Sequence, residues 1–420
     1  MAGPLACSVS NANHMVVAGG RVQHSVPDPG RAALVHPDKG GAAARRPRLL
    51  LLLLTEDTIL MRSLLSRRFR ATRAVTAATA VLALASVTGQ VAHADTPAVP
   101  EFDDGFGLSQ VTEDREVHSS TDFSITVTTP EVAGQHKIRI FLPSDYASEP
   151  GKRWPVTYFL HGGPGNPDEA GTVEALRSDQ MITVAPDGGR KGWYADWLMQ
   201  DTAEGAANWE TFHLEQVVPL IDANLRTIPD RGQRAVVGLS MGGFGSMHYA
   251  QTRPDLFGHV ASMSGGIDFG NYAVRGAVVA TELNLTTAWC AVSSSRGCAD
   301  YGPVVDSDAI FGSPYPVFNA DHIWRSVNPA ASANLAKLAD TGITLYTGDN
   351  DLVENHTADG VDIVTSRLDK LGIPSRAVNY GDGSSLSPTC NGGHNYGCWA
   401  PAFADYIPRL EAAFAAEETK

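Results

Sequence analysis

The sequence predicts an α/β fold in which a mostly parallel central sheet is covered by helices on both faces. From about residue 120 onward, short apolar runs with strand character alternate with longer segments of helical periodicity. The runs at 154–160 and 235–237 contain no charged side chain, which is typical of strands that are buried on both faces. A glycine-rich pentapeptide, 238–242, stands between the second run and a helix-forming segment. These features predict a single α/β domain.

The predicted strands and helices follow one another in a regular order. Residues 123–128 and 136–142 have strand patterns and are expected to pair as an antiparallel opening hairpin. Further strands are predicted at 154–160, 181–185, 235–237, 260–264, 343–347 and 375–380. Helices are predicted near 169–178, 210–225, 243–251, 333–339, 361–371 and 401–415.

Two stretches depart from this alternation. Residues 265–332 are loop-rich and contain a pair of cysteines, so we expect them to form a cap. Residues 95–117 are acidic and irregular, and we expect a flexible tether there. The folded domain is therefore predicted to span 118–420, with the cap inserted at about 265–332.

The N-terminal segment has the pattern of a secretory signal peptide. Met61 opens a short arginine-rich stretch, an alanine-rich apolar run follows at 74–87, and small residues at Ala92 and Ala94 mark a cleavage site before Asp95. Residues 1–60 precede this complete signal and are interpreted as a wrongly assigned upstream start, with a genuine disordered extension as the alternative. The apolar runs are too short for a stable membrane span. The expected location is secreted and extracellular.

The charge of the mature chain limits its partners. Residues 1–94 contain 11 of the 32 basic and 4 of the 46 acidic residues, so 21 basic and 42 acidic residues remain and the net charge is −21. A chain this acidic is repelled by nucleic acid and by anionic membranes, so we expect neither as a partner.

Four cysteines remain after the leader is removed, and they form two pairs with eight-residue spacing. In an exported chain this arrangement favours two short-loop disulfides, Cys290 with Cys298 and Cys390 with Cys398, although four cysteines permit three connectivities. A zinc site is the alternative, but the short spacing of two cysteines that is typical of zinc ligands is missing.

The pentapeptide Gly238-Leu239-Ser240-Met241-Gly242 predicts a nucleophilic serine. A G-x-S-x-G pattern between a strand and a helix places the serine on a sharp turn, where small neighbours permit the strained backbone and the close approach of the helix. The N-terminus of the following helix favours a developing negative charge. Ser240 is therefore the predicted nucleophile.

A serine nucleophile needs a base, and the base needs an acid to orient it. Asp351, in the loop after the strand 343–347, is the favoured acid, and Asp349 and Glu354 are competitors in the same loop. His394 lies in a loop after the last strand and is the predicted base, whereas His356 follows the acid too closely. A calcium site in the acidic loop is an alternative, but the loop lacks the EF-hand pattern.

Two backbone N–H groups are expected to stabilise the oxyanion of the reaction. One belongs to Met241, which follows the nucleophile, and the other to Gly163, in the glycine turn after strand 154–160. The aromatic residues Trp193, Tyr194 and Tyr396 are candidates for lining the substrate cleft, and their alternative role is in the core.

With these residues in place, the chain resembles the esterase D and mycolyltransferase family of α/β hydrolases. The resemblance covers about residues 120–412 and is strongest from 193 to 266. It rests on four matches: Trp193-Tyr194-Ala195-Asp196-Trp197, Asn208-Trp209-Glu210-Thr211-Phe212, Gly238-Leu239-Ser240-Met241-Gly242-Gly243 and Arg253-Pro254-Asp255-Leu256-Phe257.

The resemblance implies an α/β-hydrolase fold and serine acyl chemistry on carboxylic esters. Its secreted mycolyltransferase branch transfers acyl groups to trehalose and has an Asp-Gly-Leu-Arg run at the oxyanion turn. This chain has His161-Gly162-Gly163-Pro164 there, and Tyr396 where that branch has tryptophan. These departures favour ester hydrolysis over transfer to a sugar.

The sequence thus predicts a secreted serine esterase that acts on a small-molecule or lipid ester through an acyl-enzyme. The alternative is an acyltransferase that uses a sugar or glycerol hydroxyl in place of water. A third hypothesis is a non-enzymatic cell-wall or matrix-binding protein that keeps only the fold. No cofactor is expected, because serine acyl transfer requires neither a metal nor a nucleotide.

Overall fold

A single ten-stranded sheet runs through the part of the chain that the structure describes. The structure is a computed structural model that describes residues 98–285 and 299–418. Its strands are β1 Ser109–Gln110, β2 Glu116–Ser119, β3 Asp122–Thr128, β4 His136–Phe141, β5 Val156–Leu160, β6 Ile182–Pro186, β7 Arg234–Leu239, β8 His259–Met263, β9 Gly342–Thr347 and β10 Ser375–Asn379.

The sheet is parallel in its central and C-terminal part and antiparallel at its N-terminal edge. The strand order is β1-β3-β4-β6-β5-β7-β8-β9-β10, with β2 also paired to β3. Strands β1 to β4 pair antiparallel, as does β4 with β6, and the remaining neighbours pair in parallel. The predicted opening hairpin is therefore present as β3 and β4, and the predicted mostly parallel sheet is confirmed.

The helices lie mainly between the parallel strands. Helix α1 covers residues 209–224 and has a π-helical segment, Phe212–Val217, in its middle. The other α-helices are α2 Met241–Thr252, α3 Tyr272–Glu282, α4 His322–Ser326, α5 Ser332–Leu335, α6 Leu352–Leu371 and α7 Tyr396–Glu417. Short 3₁₀ turns occur at Thr112–Asp114, Pro167–Thr172, Glu174–Leu176, Arg231–Gln233, Val317–Asn319 and Ala336–Leu338.

Apolar side chains fill both faces of the sheet, because successive strand residues point to opposite sides. On one face, Tyr158 and Val236 contribute to a core shared with α1, α2 and α6. On the other face, Phe159 and Val237 pack in a second core with α7 and the 3₁₀ turns before β6. Coverage of both faces explains why these strands are continuously apolar in sequence.

The N-terminal segment is not a tether over the residues described. Residues 98–117 include β1 and the start of β2, and Phe102 and Leu108 are buried in the core. The pairing partners of β1 and β2 lie in β3, so the order of this segment comes from contacts with later residues rather than from its own composition.

Helix α6 begins nine residues before the predicted helix 361–371. Its first turn is capped by Asp351, whose side chain accepts a hydrogen bond from the backbone N–H of Glu354 at 2.8 Å. An aspartate at this position satisfies one of the free N–H groups of the first turn. The early start brings Glu354 into the helix and next to the end of β9.

Part of the predicted cap is described, and the buried side chain of Glu282 organises it. Glu282 ends α3, and its Oε1 accepts the backbone N–H of Ile310 at 3.0 Å, while its backbone carbonyl accepts the N–H of Val305 at 3.0 Å. These bonds hold residues 305–310 against the end of α3. Cys290 and Cys298, for which a disulfide is predicted, lie outside the described residues.

Within residues 98–285 and 299–418, no helix has both the length and the apolar character needed to cross a bilayer. The signal-peptide prediction concerns residues outside these ranges.

The burial of Glu282 predicts a pH-dependent contribution to stability. Burial raises the pKa of this carboxyl to about 7 from a usual value of 4.5, with the charge of Asp308 adding to the effect. A raised pKa stabilises the fold at low pH, and that contribution is lost as the pH rises from about 4.5 through about 7. The substitution Glu282→Gln keeps an acceptor for Ile310 but cannot ionise. The difference in melting temperature, Glu282→Gln minus wild type, is therefore expected to be more positive at pH 8 than at pH 5.

The measurement is thermal unfolding followed by circular dichroism at both pH values. Glu174→Gln is the matched control, since the Glu174 side chain is 91% exposed and should show no pH-dependent difference. An equal difference between Glu282→Gln and wild type at pH 5 and pH 8 would contradict the prediction.

Candidate active site

Ser240 lies on a sharp turn between β7 and α2. Its backbone has φ 52° and ψ −119°, a conformation that side-chain-bearing residues rarely adopt, and its N–H donates to the carbonyl of Met263 at 2.9 Å. A Cβ atom on Gly238 would lie 2.2 Å from the carbonyl oxygen of Gly242, and one on Gly242 would lie 2.0 Å from that of Leu160. Both glycines are therefore required for the turn, as the pentapeptide motif predicts.

His394 connects Ser240 to a carboxylate. Its Nε2 lies 2.8 Å from the Ser240 Oγ, and its Nδ1 lies 2.7 Å from Glu354 Oε1. An ionised carboxylate can only accept hydrogen bonds, so Nδ1 carries the proton and Nε2 accepts from the serine hydroxyl. The structure thus brings together the predicted nucleophile and the predicted base in the orientation needed for proton transfer.

Glu354 is completely buried and is held by several donors. Its Oε2 accepts the N–H of Gly348 at 2.7 Å, the Thr357 hydroxyl at 3.1 Å and the Thr347 hydroxyl at 3.2 Å. Burial raises the pKa of this carboxyl, but the hydrogen bond and charge of His394 and the N–H of Gly348 outweigh it and hold the pKa below its usual value. Glu354 is therefore ionised beside the imidazole at neutral pH.

Asp351, the acid favoured by the sequence, does not contact the imidazole, and this assignment is corrected to Glu354. Asp351 Oδ1 caps α6, and Oδ2 accepts the backbone N–H of His394 at 2.7 Å. The pattern Asp351-Leu352-Val353-Glu354 has the spacing of a helix-capping box, which could have placed Asp351 at the cap and Glu354 inside the helix. Asp349 is exposed, and His356 Nδ1 lies 3.3 Å from Asn271 Nδ2, so neither belongs to the Ser240 chain of contacts.

The loop that carries His394 is fixed on both sides. A disulfide joins Cys390 and Cys398, as predicted for this pair. The Trp399 ring packs edge-on against the imidazole at a centroid distance of 4.8 Å, and its Nε1 donates to the Ser264 hydroxyl at 3.1 Å. The loop thus holds the imidazole in one place by covalent, aromatic and backbone contacts.

The two predicted oxyanion donors lie on neighbouring turns. Met241 is the first residue of α2, so its N–H has no partner inside the helix. The position that a Cβ atom would take on Gly163 is 3.4 Å from Met241 Sδ, which brings the glycine turn next to the start of α2. No hydrogen bond joins either N–H to another residue in the described part of the chain. Both N–H groups therefore lack a hydrogen-bond partner among the described residues, and Met241 directly follows Ser240.

Trp193 and Tyr194 are core residues in the structure, which corrects their prediction as cleft residues. Trp193 is 6% exposed and donates from Nε1 to Thr281, and Tyr194 is fully buried and donates its hydroxyl to the carbonyl of His161 at 2.8 Å. Both have positive φ values of 48° and lie in the loop between β6 and α1. Tyr396 differs: it is half-buried and follows His394 by two residues.

The described residues contain no group of three or more His, Cys, Asp or Glu side chains arranged to hold a metal ion.

Comparison with known proteins shows the family of this chain. The family model described as "Putative esterase" matches residues 129–410. Esterase Rv1288 of Mycobacterium tuberculosis (strain ATCC 25618 / H37Rv) is 29% identical over 293 residues, which cover 68% of this chain and 60% of that protein. The chain therefore spans less than two thirds of that relative's length. The Mycobacterium leprae (strain TN) protein named diacylglycerol acyltransferase/mycolyltransferase Ag85A is 24% identical over 278 residues, covering 62% of this chain and 76% of its own.

Solved structures agree on the fold. The crystal structure of Mycobacterium tuberculosis MPT51 (FbpC1) superimposes with a TM-score of 0.52 at 21% sequence identity, covering 69% of this chain and 97% of the other. The sheet order and covering helices are those of an α/β hydrolase, as the sequence predicts. Because the family match extends from the loop after β3 into α7 and includes every residue in contact around Ser240, the chain belongs to the putative esterase family.

Proposed function

We propose that this protein is a serine ester hydrolase that works through a covalent acyl-enzyme. The observation that carries the proposal is the unbroken chain of contacts from the Ser240 hydroxyl through His394 to the buried Glu354. A neutral imidazole that accepts the serine proton and is oriented by a carboxylate is the arrangement that activates a hydroxyl nucleophile. Family membership supports an ester as the substrate.

The residues suggest the following steps. Ser240 Oγ attacks the ester carbonyl while His394 Nε2 takes its proton, and the N–H groups of Met241 and Gly163 stabilise the oxyanion. His394 then donates this proton to the leaving alcohol. A water molecule, deprotonated by the same imidazole, then attacks the acyl group, and His394 returns the proton to Ser240 Oγ as the bond to the acyl group breaks and the free acid leaves. Glu354 remains ionised throughout and stabilises the imidazolium.

An acyltransferase is the second candidate, since the relative Ag85A is named as one. It would use the same acyl-enzyme, with a sugar or glycerol hydroxyl in place of water. Product analysis with and without trehalose or glycerol distinguishes the two: transfer produces a new ester in excess of free acid, whereas hydrolysis is unaffected by the acceptor.

Secretion is part of the proposal. The signal-peptide pattern at 61–94 supports it, and so does the Cys390–Cys398 disulfide, because such bonds persist mainly in oxidising compartments. The proposed domain limits are the leader 1–60, the signal peptide 61–94 and a mature chain that begins at Asp95.

Replacing the nucleophile should abolish turnover. Ser240→Ala is expected to lower the rate of p-nitrophenyl ester hydrolysis by about 10⁴-fold or more, because no hydroxyl remains to form the acyl-enzyme. It should also prevent labelling by a fluorophosphonate. The control is Ser148→Ala, which changes an exposed serine in the loop after β4. Retained hydrolysis in Ser240→Ala would refute the proposal, and an absence of hydrolysis in wild type would favour a non-enzymatic binding protein.

The two acidic residues near His394 should differ in their effect on catalysis. Glu354→Gln is expected to lower kcat by about 10³–10⁴-fold, because an amide favours the wrong imidazole tautomer. Asp351→Asn is expected to lower kcat by only about tenfold, because it weakens the hydrogen bond to the backbone N–H of His394 while the contact between Glu354 and the imidazole remains. Steady-state kinetics with one ester substrate measures both. A larger loss for Asp351→Asn would restore Asp351 as the orienting acid.

A further inference from the structure

Glu169 and Tyr396 form a polar pair that the steps above do not use. The Tyr396 hydroxyl donates to Glu169 Oε2 at 2.5 Å, and both side chains are half-buried. Burial, followed by the negative charge of Glu169, raises the pKa of the Tyr396 phenol, so the phenol stays protonated and remains a donor. The pair joins residues that are 227 positions apart in the chain.

The pair lies between the two loops that carry the reaction. On one side, Tyr396 follows His394 by two residues, and the Trp399 ring contacts both, with centroid distances of 5.1 Å to Tyr396 and 4.8 Å to His394. On the other side, a Cβ atom on Gly165 would lie 2.3 Å from Glu169 Oε2, so the carboxylate rests directly on the glycine turn. The N–H of Gly165 donates to the carbonyl of Gly162, which keeps this turn closed.

Within the described ranges, the carboxylate of Glu169 has no positively charged partner. None of the Lys, Arg and His residues in the described ranges forms an ion pair with Glu169. The second carboxylate oxygen, Oε1, accepts no hydrogen bond from any residue in the described ranges, whereas Oε2 accepts the one from Tyr396. A half-buried carboxylate without a counter-charge has a strong electrostatic interaction with charged or polar groups of a nearby ligand, because solvent screens its charge only partly.

We propose that the Glu169–Tyr396 pair selects the alcohol part of the ester by its charge. The pair accepts an alcohol that presents a hydroxyl or ammonium donor and excludes one that bears a carboxylate. This inference rests on the proposed function, because it concerns the leaving group of that reaction.

The position relative to His394 determines which half of the ester is affected. The leaving oxygen must take its proton from His394 Nε2, so the alcohol extends over the residues around the imidazole. A donor on the alcohol can bond to the free Glu169 Oε1, and hydrogen bonds to ionised acceptors are about twice as strong as neutral ones. A carboxylate on the alcohol would instead face Glu169 at short range and be repelled.

The test uses three aryl butyrates that share one acyl group and differ only in a meta substituent: aminomethyl, hydroxymethyl or carboxylate. We expect wild type to cleave the carboxylate ester with the lowest kcat/KM. In Glu169→Gln the ratio of kcat/KM for the aminomethyl ester to that for the carboxylate ester should fall about tenfold or more. Tyr396→Phe keeps the charge of Glu169 and should preserve the discrimination against the carboxylate ester.

Glu174→Gln is the matched control, because it removes an exposed carboxylate five residues away and should leave the ratio unchanged. An equal loss for all three esters in Glu169→Gln would assign the pair to holding the two loops together and overturn the inference. Unchanged ratios would also overturn it and leave the proposed function intact. If wild type cleaves none of the three esters and resists fluorophosphonate labelling, the proposed function itself fails. Should Glu169→Gln not fold, loss of the discrimination in Tyr396→Phe would still refute a selection based on the charge of Glu169.

Discussion

The buried contact between Glu354 and His394 is the constraint on which the rest of the site depends. A carboxylate without exposure to solvent is costly unless donors surround it, and here Thr347 at the end of β9, the adjoining Gly348 and Thr357 in α6 supply them. Moving either element would leave the charge unpaired. The same contact fixes the imidazole tautomer, so the arrangement of backbone at this junction determines which histidine nitrogen faces Ser240.

The parallel sheet explains why residues so distant in sequence meet. The glycine turn follows β5, Ser240 follows β7, Glu354 follows β9 and His394 follows β10. The carboxyl ends of parallel strands lie at one edge of a sheet, which is where α/β folds collect their functional groups. The edge is therefore assembled from four connections that follow different strands: the glycine turn, the turn at Ser240, the start of α6 and the loop of His394.

Features that rest on local pattern could be predicted from the sequence, and features that rest on long-range contacts could not. Ser240 can be predicted because its turn requires glycines at fixed spacing. His394 can be predicted because it lies after the last strand. The sequence alone does not separate Asp351 from Glu354, because both are acidic residues of one predicted loop. The position at which α6 begins determines which of them faces the imidazole. Trp193 and Tyr194 are aromatic residues of a kind that lines either a cleft or a core. Their burial in the core depends on long-range packing, which the local sequence does not specify.

The Cys390–Cys398 disulfide encloses His394, the proposed base, in a short loop. The sheet and the contacts of Glu354 do not include this bond, whereas the loop of His394 has both the bond and the contacts of Trp399 and Asp351. The covalent constraint on this loop depends on the redox state of its compartment, because disulfides persist mainly in oxidising compartments.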